Sequence, residues 1–224
     1  MFDGRYREPI EKIVKPSGML LRKTGMSADQ LTILGLVIAA FAAIAVASGH
    51  LLVGFFLVIL AALPDVLDGA LAKASNSVSQ RGAFFDSVID RVTDSLLLGG
   101  LAWYVGGEYG AHAAVLPFAV MAVSSLISYE RAKAESLGLS AKGGLMERAE
   151  RIVVLCFGLL FHTILMPVLW VMLALTSMTA LQRFIKVWKQ AGVSPRTQDR
   201  RDERRDKQSE RRNGENGRRR TTSK

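Results

Sequence analysis

Residues 64–94 read PDVLDGALAKASNSVSQRGAFFDSVIDRVTD and carry five aspartates, Asp65, Asp68, Asp86, Asp90 and Asp94, between two long apolar runs. Asp65 and Asp68 are spaced i,i+3 at the end of one predicted helix. Asp86 and Asp90 are spaced i,i+4 near the start of the next, so each pair shares a helix face. A hairpin of two such helices lets the faces converge and gathers four carboxylates around one point. That much like charge repels itself unless a cation sits among it. Hard oxygen donors without His or Cys suit Mg2+ or Mn2+, and carboxylate-held Mg2+ keeps positions for water and substrate phosphate. Two ions account for four ligands and point to phosphoryl-group chemistry. Gly69 and Gly82, with the small Ala72, allow a diphosphate or nucleotide to approach the backbone closely. Carboxylates in a membrane helix also serve as ion paths, so a transporter is the alternative from a different class.

Working outward, the chain has no Lys or Arg in residues 24–72, 92–130 and 152–182, stretches of 49, 39 and 31 residues. A helix needs roughly 20 residues to cross about 30 Å of hydrocarbon, so each stretch holds about two spans and a turn. The expected fold is therefore all-α and integral to the membrane, with six transmembrane helices near 29–48, 51–74, 80–105, 112–135, 147–163 and 166–188. Every Lys and Arg then falls on one side. The positive-inside rule places both termini and the aspartates in the cytoplasm, in a multi-pass protein of the cell membrane. A hydrophobic share of 50% beside a charged share of 22% agrees, because the two kinds of residue segregate along the chain.

Residues 1–28 mix Ile10, Ile13, Val14 and Met19 with Arg7, Lys12, Lys15 and Arg22. They read as a cytoplasmic interfacial amphipathic helix rather than a cleaved signal, so the first span directs insertion. Ser27 and Gln30 carry the spacing of a capping box at the start of that span. The membrane domain is expected over 29–189. Residues 190–224 hold 12 basic and 6 acidic residues, with Val193 as their one large apolar residue. They read as a disordered basic tail that touches anionic lipid rather than a specific nucleic-acid module. Cys156 is the chain's single cysteine, which rules out an intrachain disulfide. His50, His112 and His162 fall on the face away from the aspartates. Small residues in the first, third and fourth helices suit close packing or a homodimer.

The spacing Asp65, Asp68, Gly69, Ala72, Lys73, then eight residues, then Gly82, Asp86 and Asp90 resembles the CDP-alcohol phosphatidyltransferases, class I. Lys73 stands where that family has Arg, which exchanges a bidentate fork for a point charge. The resemblance implies a metal site of Asp65, Asp68, Asp86 and Asp90 and a CDP site of Gly69, Ala72, Lys73 and Gly82. It also implies that Asp90 is the general base that deprotonates an alcohol attacking the β-phosphorus of CDP-diacylglycerol, with CMP leaving. Homodimers are usual in the family. Asp94 lies outside the pattern, and two roles stay open for it: support of the site, or pairing with a neighbour.

The second charged connection, residues 127–152, presents Arg131, Lys133, Lys142, Arg148 and Arg151, and Arg183 closes the last span. This much positive charge suits a phosphorylated acceptor, although positive-inside charges look the same one by one. The run SYERAKAESLGL followed by GGLMERAER is similar to the phosphatidylinositol phosphate synthases of actinobacteria. That likeness implies inositol 1-phosphate as acceptor, with Arg131, Lys133, Arg151 and Arg183 binding its phosphate. Phosphatidylglycerophosphate synthase, which takes glycerol 3-phosphate, remains the alternative within the family.

Overall fold

In a computed structural model, residues 27–74, 79–141 and 143–192 are described, except for the side chains of residues 28 and 64–74. The expected amphipathic segment and nearly all of the basic tail lie outside these residues. Among the described residues six α-helices follow one another: α1 (Ala28–Ala47), α2 (Leu51–Ala74), α3 (Gln80–Glu108), α4 (Val115–Ser136), α5 (Arg148–Leu160) and α6 (Leu165–Ala191). Short 3-10 turns at Ala111–Ala114 and His162–Ile164 lead into α4 and α6, and no strand occurs among the described residues.

The start of α1 follows its sequence signal. Ser27 Oγ accepts the Gln30 N–H at 3.2 Å, and Gln30 Oε1 accepts the Ser27 N–H at 3.0 Å. Two backbone donors that the first turn cannot satisfy are thereby bonded. Ser79 does half of this for α3, its hydroxyl accepting the Gly82 N–H at 3.0 Å. The end of α3 differs from expectation. Gly106 and Gly107 read as a turn, yet the helix runs through them to Glu108, and the chain breaks at Gly110, where φ is +93°. Helix propensity is a weak prior, and packing of the buried Leu101 and Val105 on the neighbouring helices outweighs two glycines.

Among the described residues three segments, Asp29–Ala47, Ala111–Ser136 and His162–Ala191, are long and apolar enough to cross a membrane. The apolar run of α2 gives way in the sequence to Asp65 and Asp68, α3 carries Asp86, Asp90 and Asp94 in its first half, and α5 has only 13 residues. Large apolar side chains also cover the outside: Phe41, Phe56, Trp103, Phe118, Trp170 and Trp188 are all exposed. Helices apolar on both faces belong in lipid.

The contacts form a closed circuit. Helix α1 packs on α2 and α3, α3 on α4, α4 on α6, α6 on α5, and α5 back on α2. Leu97, Leu101, Leu116, Val120, Leu155, Leu165, Leu169 and Met172 fill the core. Among the described glycines, a close backbone approach occurs where α3 crosses α1. A Cβ on Gly100 would lie 2.4 Å from the Ala43 carbonyl oxygen and 3.0 Å from its Cα. No side chain can yield there, so Gly100→Ala is expected to cost about 1–3 kcal/mol. A lower melting midpoint in detergent is the readout.

Candidate active site

A cavity of about 490 Å3 opens beside the first turns of α5. Five of the six helices line it: Ala62 from α2, Asp90 and Asp94 from α3, Ser128 and Arg131 from α4, Arg148 and Arg151 from α5, and Arg183 from α6. A second, shallower cavity of about 350 Å3 is lined by Gly49, His50, Tyr104 and His162, at the end where α1, α3 and α5 finish. His50 and His162 therefore line a different cavity from Asp90, as their sequence positions implied.

Asp86, Asp90 and Asp94 follow one another at i,i+4 along α3, and Arg148 and Arg151 at i,i+3 along α5. The two rows face each other across the cavity wall. Arg148 Nη1 lies 2.7 Å from Asp90 Oδ1 and its Nε 3.5 Å from Asp94 Oδ1, while Arg151 Nη2 lies 2.9 Å from Asp94 Oδ2. Two carboxylates thus meet two guanidiniums. Balance is required, because Arg151 is only 6% exposed and an uncompensated buried charge is costly.

Arg183, 5% exposed, is fastened at all three nitrogens. Its Nε donates to the Gly143 carbonyl at 3.0 Å, Nη1 to the Ile127 carbonyl at 3.4 Å, and Nη2 to Glu147 Oε1 at 3.0 Å. The loop leading into α5 is pinned to α6 a second time by the Met146 N–H, which donates to Thr179 Oγ1 at 3.0 Å. Gly143 and Gly144 turn the loop with φ of +91° and +154°. A Cβ on Gly144 would sit 2.5 Å from the Thr179 methyl, so the conformation and the contact both require glycine.

Of the residues singled out by sequence, Asp90, Arg131, Arg151 and Arg183 come together around the cavity. Arg131 is at its exposed edge, with Nε 3.0 Å from Glu135 Oε1. Lys133 is exposed and not among the lining residues. Residues two apart on a helix point about 200° apart, so Arg131 and Lys133 cannot face the same space. Asp86 is half-buried one turn before Asp90, and Gly82 is near the start of α1, where an added Cβ would stand 3.8 Å from Asp29 Oδ1. The side chains of Asp65, Asp68, Ala72 and Lys73, and the surroundings of Gly69, lie outside the described residues, as does Lys142. Sequence reasoning counted Arg148 among the basic residues of this connection without giving it a role of its own, and it missed Glu147. The i,i+3 spacing of Arg148 and Arg151 was the available signal.

A family model for CDP-alcohol phosphatidyltransferase matches residues 26–187, which take in α1 to α5, α6 but for its last four residues, and every residue lining the cavity. The chain belongs to this family. The transferase is 34% identical over 199 residues to a phosphatidylinositol phosphate synthase of Mycobacteroides abscessus, covering 84% of this chain and 89% of that one. It is 32% identical over 191 residues to an archaetidylinositol phosphate synthase of Methanothermobacter thermautotrophicus, covering 83% and 94%. Among solved structures, it is similar to a phosphatidylinositol phosphate synthase of Mycobacterium tuberculosis with CDP-DAG bound, at a TM-score of 0.73 and 28% identity. That match covers 79% of the transferase and 94% of the solved chain. The same mycobacterial protein has been solved in complex with manganese and citrate.

Proposed function

We propose that this transferase moves the phosphatidyl group of CDP-diacylglycerol to inositol 1-phosphate, giving phosphatidylinositol phosphate and CMP. One observation carries the reading. Asp90 opens into the same cavity as the guanidiniums of Arg131, Arg148, Arg151 and Arg183. A phosphorylated alcohol held by those arginines presents its hydroxyl to a carboxylate. Asp90 takes the hydroxyl proton, the oxygen bonds to the β-phosphorus, and the bond from that phosphorus to the CMP oxygen breaks. Arg131, Arg151 and Arg183 bind the acceptor phosphate, for which guanidiniums are well shaped. Lys133 is outside this set.

The donor set is all oxygen: Asp86 and Asp90 on α3, with Asp65 and Asp68 on the last turns of α2. It fits two Mg2+ or Mn2+ ions, which when bound neutralise charge on the diphosphate. Gly69, Ala72, Lys73 and Gly82 form the CDP side. All six helices enter the membrane, the charged connections face the cytoplasm, and the enzyme is a homodimer. Support for the orientation comes from the confinement of Lys and Arg to one set of connections.

Purified enzyme in lipid is tested for CMP release with inositol 1-phosphate, glycerol 3-phosphate and free inositol in parallel. Release is expected with inositol 1-phosphate alone and is abolished by EDTA. Preference for glycerol 3-phosphate would overturn the acceptor, and turnover surviving EDTA would overturn the metal site.

A further inference from the structure

We infer that Asp94 is a positioning residue that sets specificity for a phosphorylated acceptor, by aiming Arg151, and with it Arg148, into the cavity. The inference rests on the phosphorylated-alcohol reading above. Asp94 belongs to no part of the aspartate pattern, yet its carboxylate touches guanidiniums on two successive turns of α5, with Oδ2 toward Arg151 and Oδ1 toward Arg148.

Two arginines at the cavity are nearly buried, and their donors are used differently. A guanidinium has five N–H groups. Arg183 has each of its nitrogens bonded within the protein. Arg151 has one bond to Asp94 at 2.9 Å and one long contact, 3.5 Å, from Nη1 to the Met146 carbonyl. Arg151 also lines the cavity, so its other donors can meet an anion there. A buried guanidinium on a flexible stem is useful for recognition only if something fixes its plane. Asp94 is the one carboxylate within salt-bridge distance of Arg151 among the described residues.

Asp94 also acts on Arg148. That side chain bridges Asp90 and Asp94. When the Asp90 carboxylate is engaged in proton transfer, the Asp94 contact still keeps Arg148 at the cavity. Asp94 therefore separates two tasks along one helix: Asp90 serves the reaction and Asp94 holds the cations that bind the acceptor.

The test is Asp94→Asn, which keeps the shape and removes the charge. Initial rates of CMP release are measured with inositol 1-phosphate and CDP-diacylglycerol varied separately. The KM for inositol 1-phosphate is expected to rise by about 10-fold or more, while kcat and the KM for CDP-diacylglycerol stay within about 3-fold. Asp94→Glu, which restores the charge one methylene further out, recovers part of the affinity. Calorimetric titration of inositol 1-phosphate into the variant follows binding without turnover. A fall in kcat with unchanged acceptor KM, equal losses for both substrates, or wild-type titration curves would overturn the inference. Wild-type enzyme that turns over glycerol 3-phosphate instead would sink the proposed acceptor alone, and the same KM comparison with glycerol 3-phosphate would still judge Asp94.

Discussion

Asp90→Asn is expected to lower CMP release by about a thousandfold while the protein still folds and melts near the wild-type temperature. Asparagine fills the same space, so the first turns of α3 keep their packing. What is lost is a proton acceptor at the cavity and one carboxylate of the proposed metal site. Arg148 loses the charge of its 2.7 Å partner, although an asparagine Oδ1 can still accept its N–H, and it remains beside Asp94 Oδ1 at 3.5 Å, which limits the structural damage. Acceptor binding should therefore survive in calorimetry when turnover does not. Substantial turnover in the variant would remove Asp90 from the role of base. Loss of acceptor binding together with turnover would mean that its structural pairing with Arg148 dominates.

The second large effect is expected at Arg183. Its guanidinium joins α4 through the Ile127 carbonyl, the α5 loop through the Gly143 carbonyl, and the start of α5 through Glu147. Lysine carries the charge but concentrates its donors on one nitrogen and cannot span three acceptors on three elements. Arg183→Lys is expected to destabilise the protein by about 3 kcal/mol, the scale for breaking a buried, hydrogen-bonded charge. The acceptor kcat/KM should fall roughly 100-fold, because the loop carrying Met146 and Glu147 no longer sits where α5 starts. Melting in detergent and acceptor kinetics read the two effects separately. A variant with wild-type melting and a raised acceptor KM alone would make Arg183 purely a ligand.

The helices were legible because three long stretches without Lys or Arg each had room for two of them, and the turn and cap residues between placed their ends to within a few residues of those observed. Ser27 and Gln30 were readable for the same kind of reason, since a cap depends on residues three apart. The misjudged end of α3 lies at Gly106 and Gly107, where tertiary packing outweighed a local preference. That Asp65 and Asp68 would share one helix, and Asp86 and Asp90 the next, was readable from spacing alone, because each pair is only three or four residues apart. The pairing of Asp90 and Asp94 with Arg148 and Arg151 was not. It depends on α3 facing α5 across the circuit, and those residues are more than fifty positions apart in the chain. Lys133 was recoverable from helical geometry alone, since Arg131 and Lys133 stand on opposite sides of a helix.

The crossing of α1 and α3 at Gly100 has a mechanical side. Gly100 is ten residues beyond Asp90 and six beyond Asp94, or about 15 Å and 9 Å along a helix rising 1.5 Å per residue. With the Ala43 backbone against it, this point acts as a fulcrum, and the two carboxylates ride on the same arm at unequal distances. A tilt of about 4° there carries Asp90 through about 1 Å, a displacement large enough to cost a reaction roughly 100-fold. The shorter throw of Asp94 means that such a tilt moves Asp90, the proposed base, more than it disturbs the hold on the arginines.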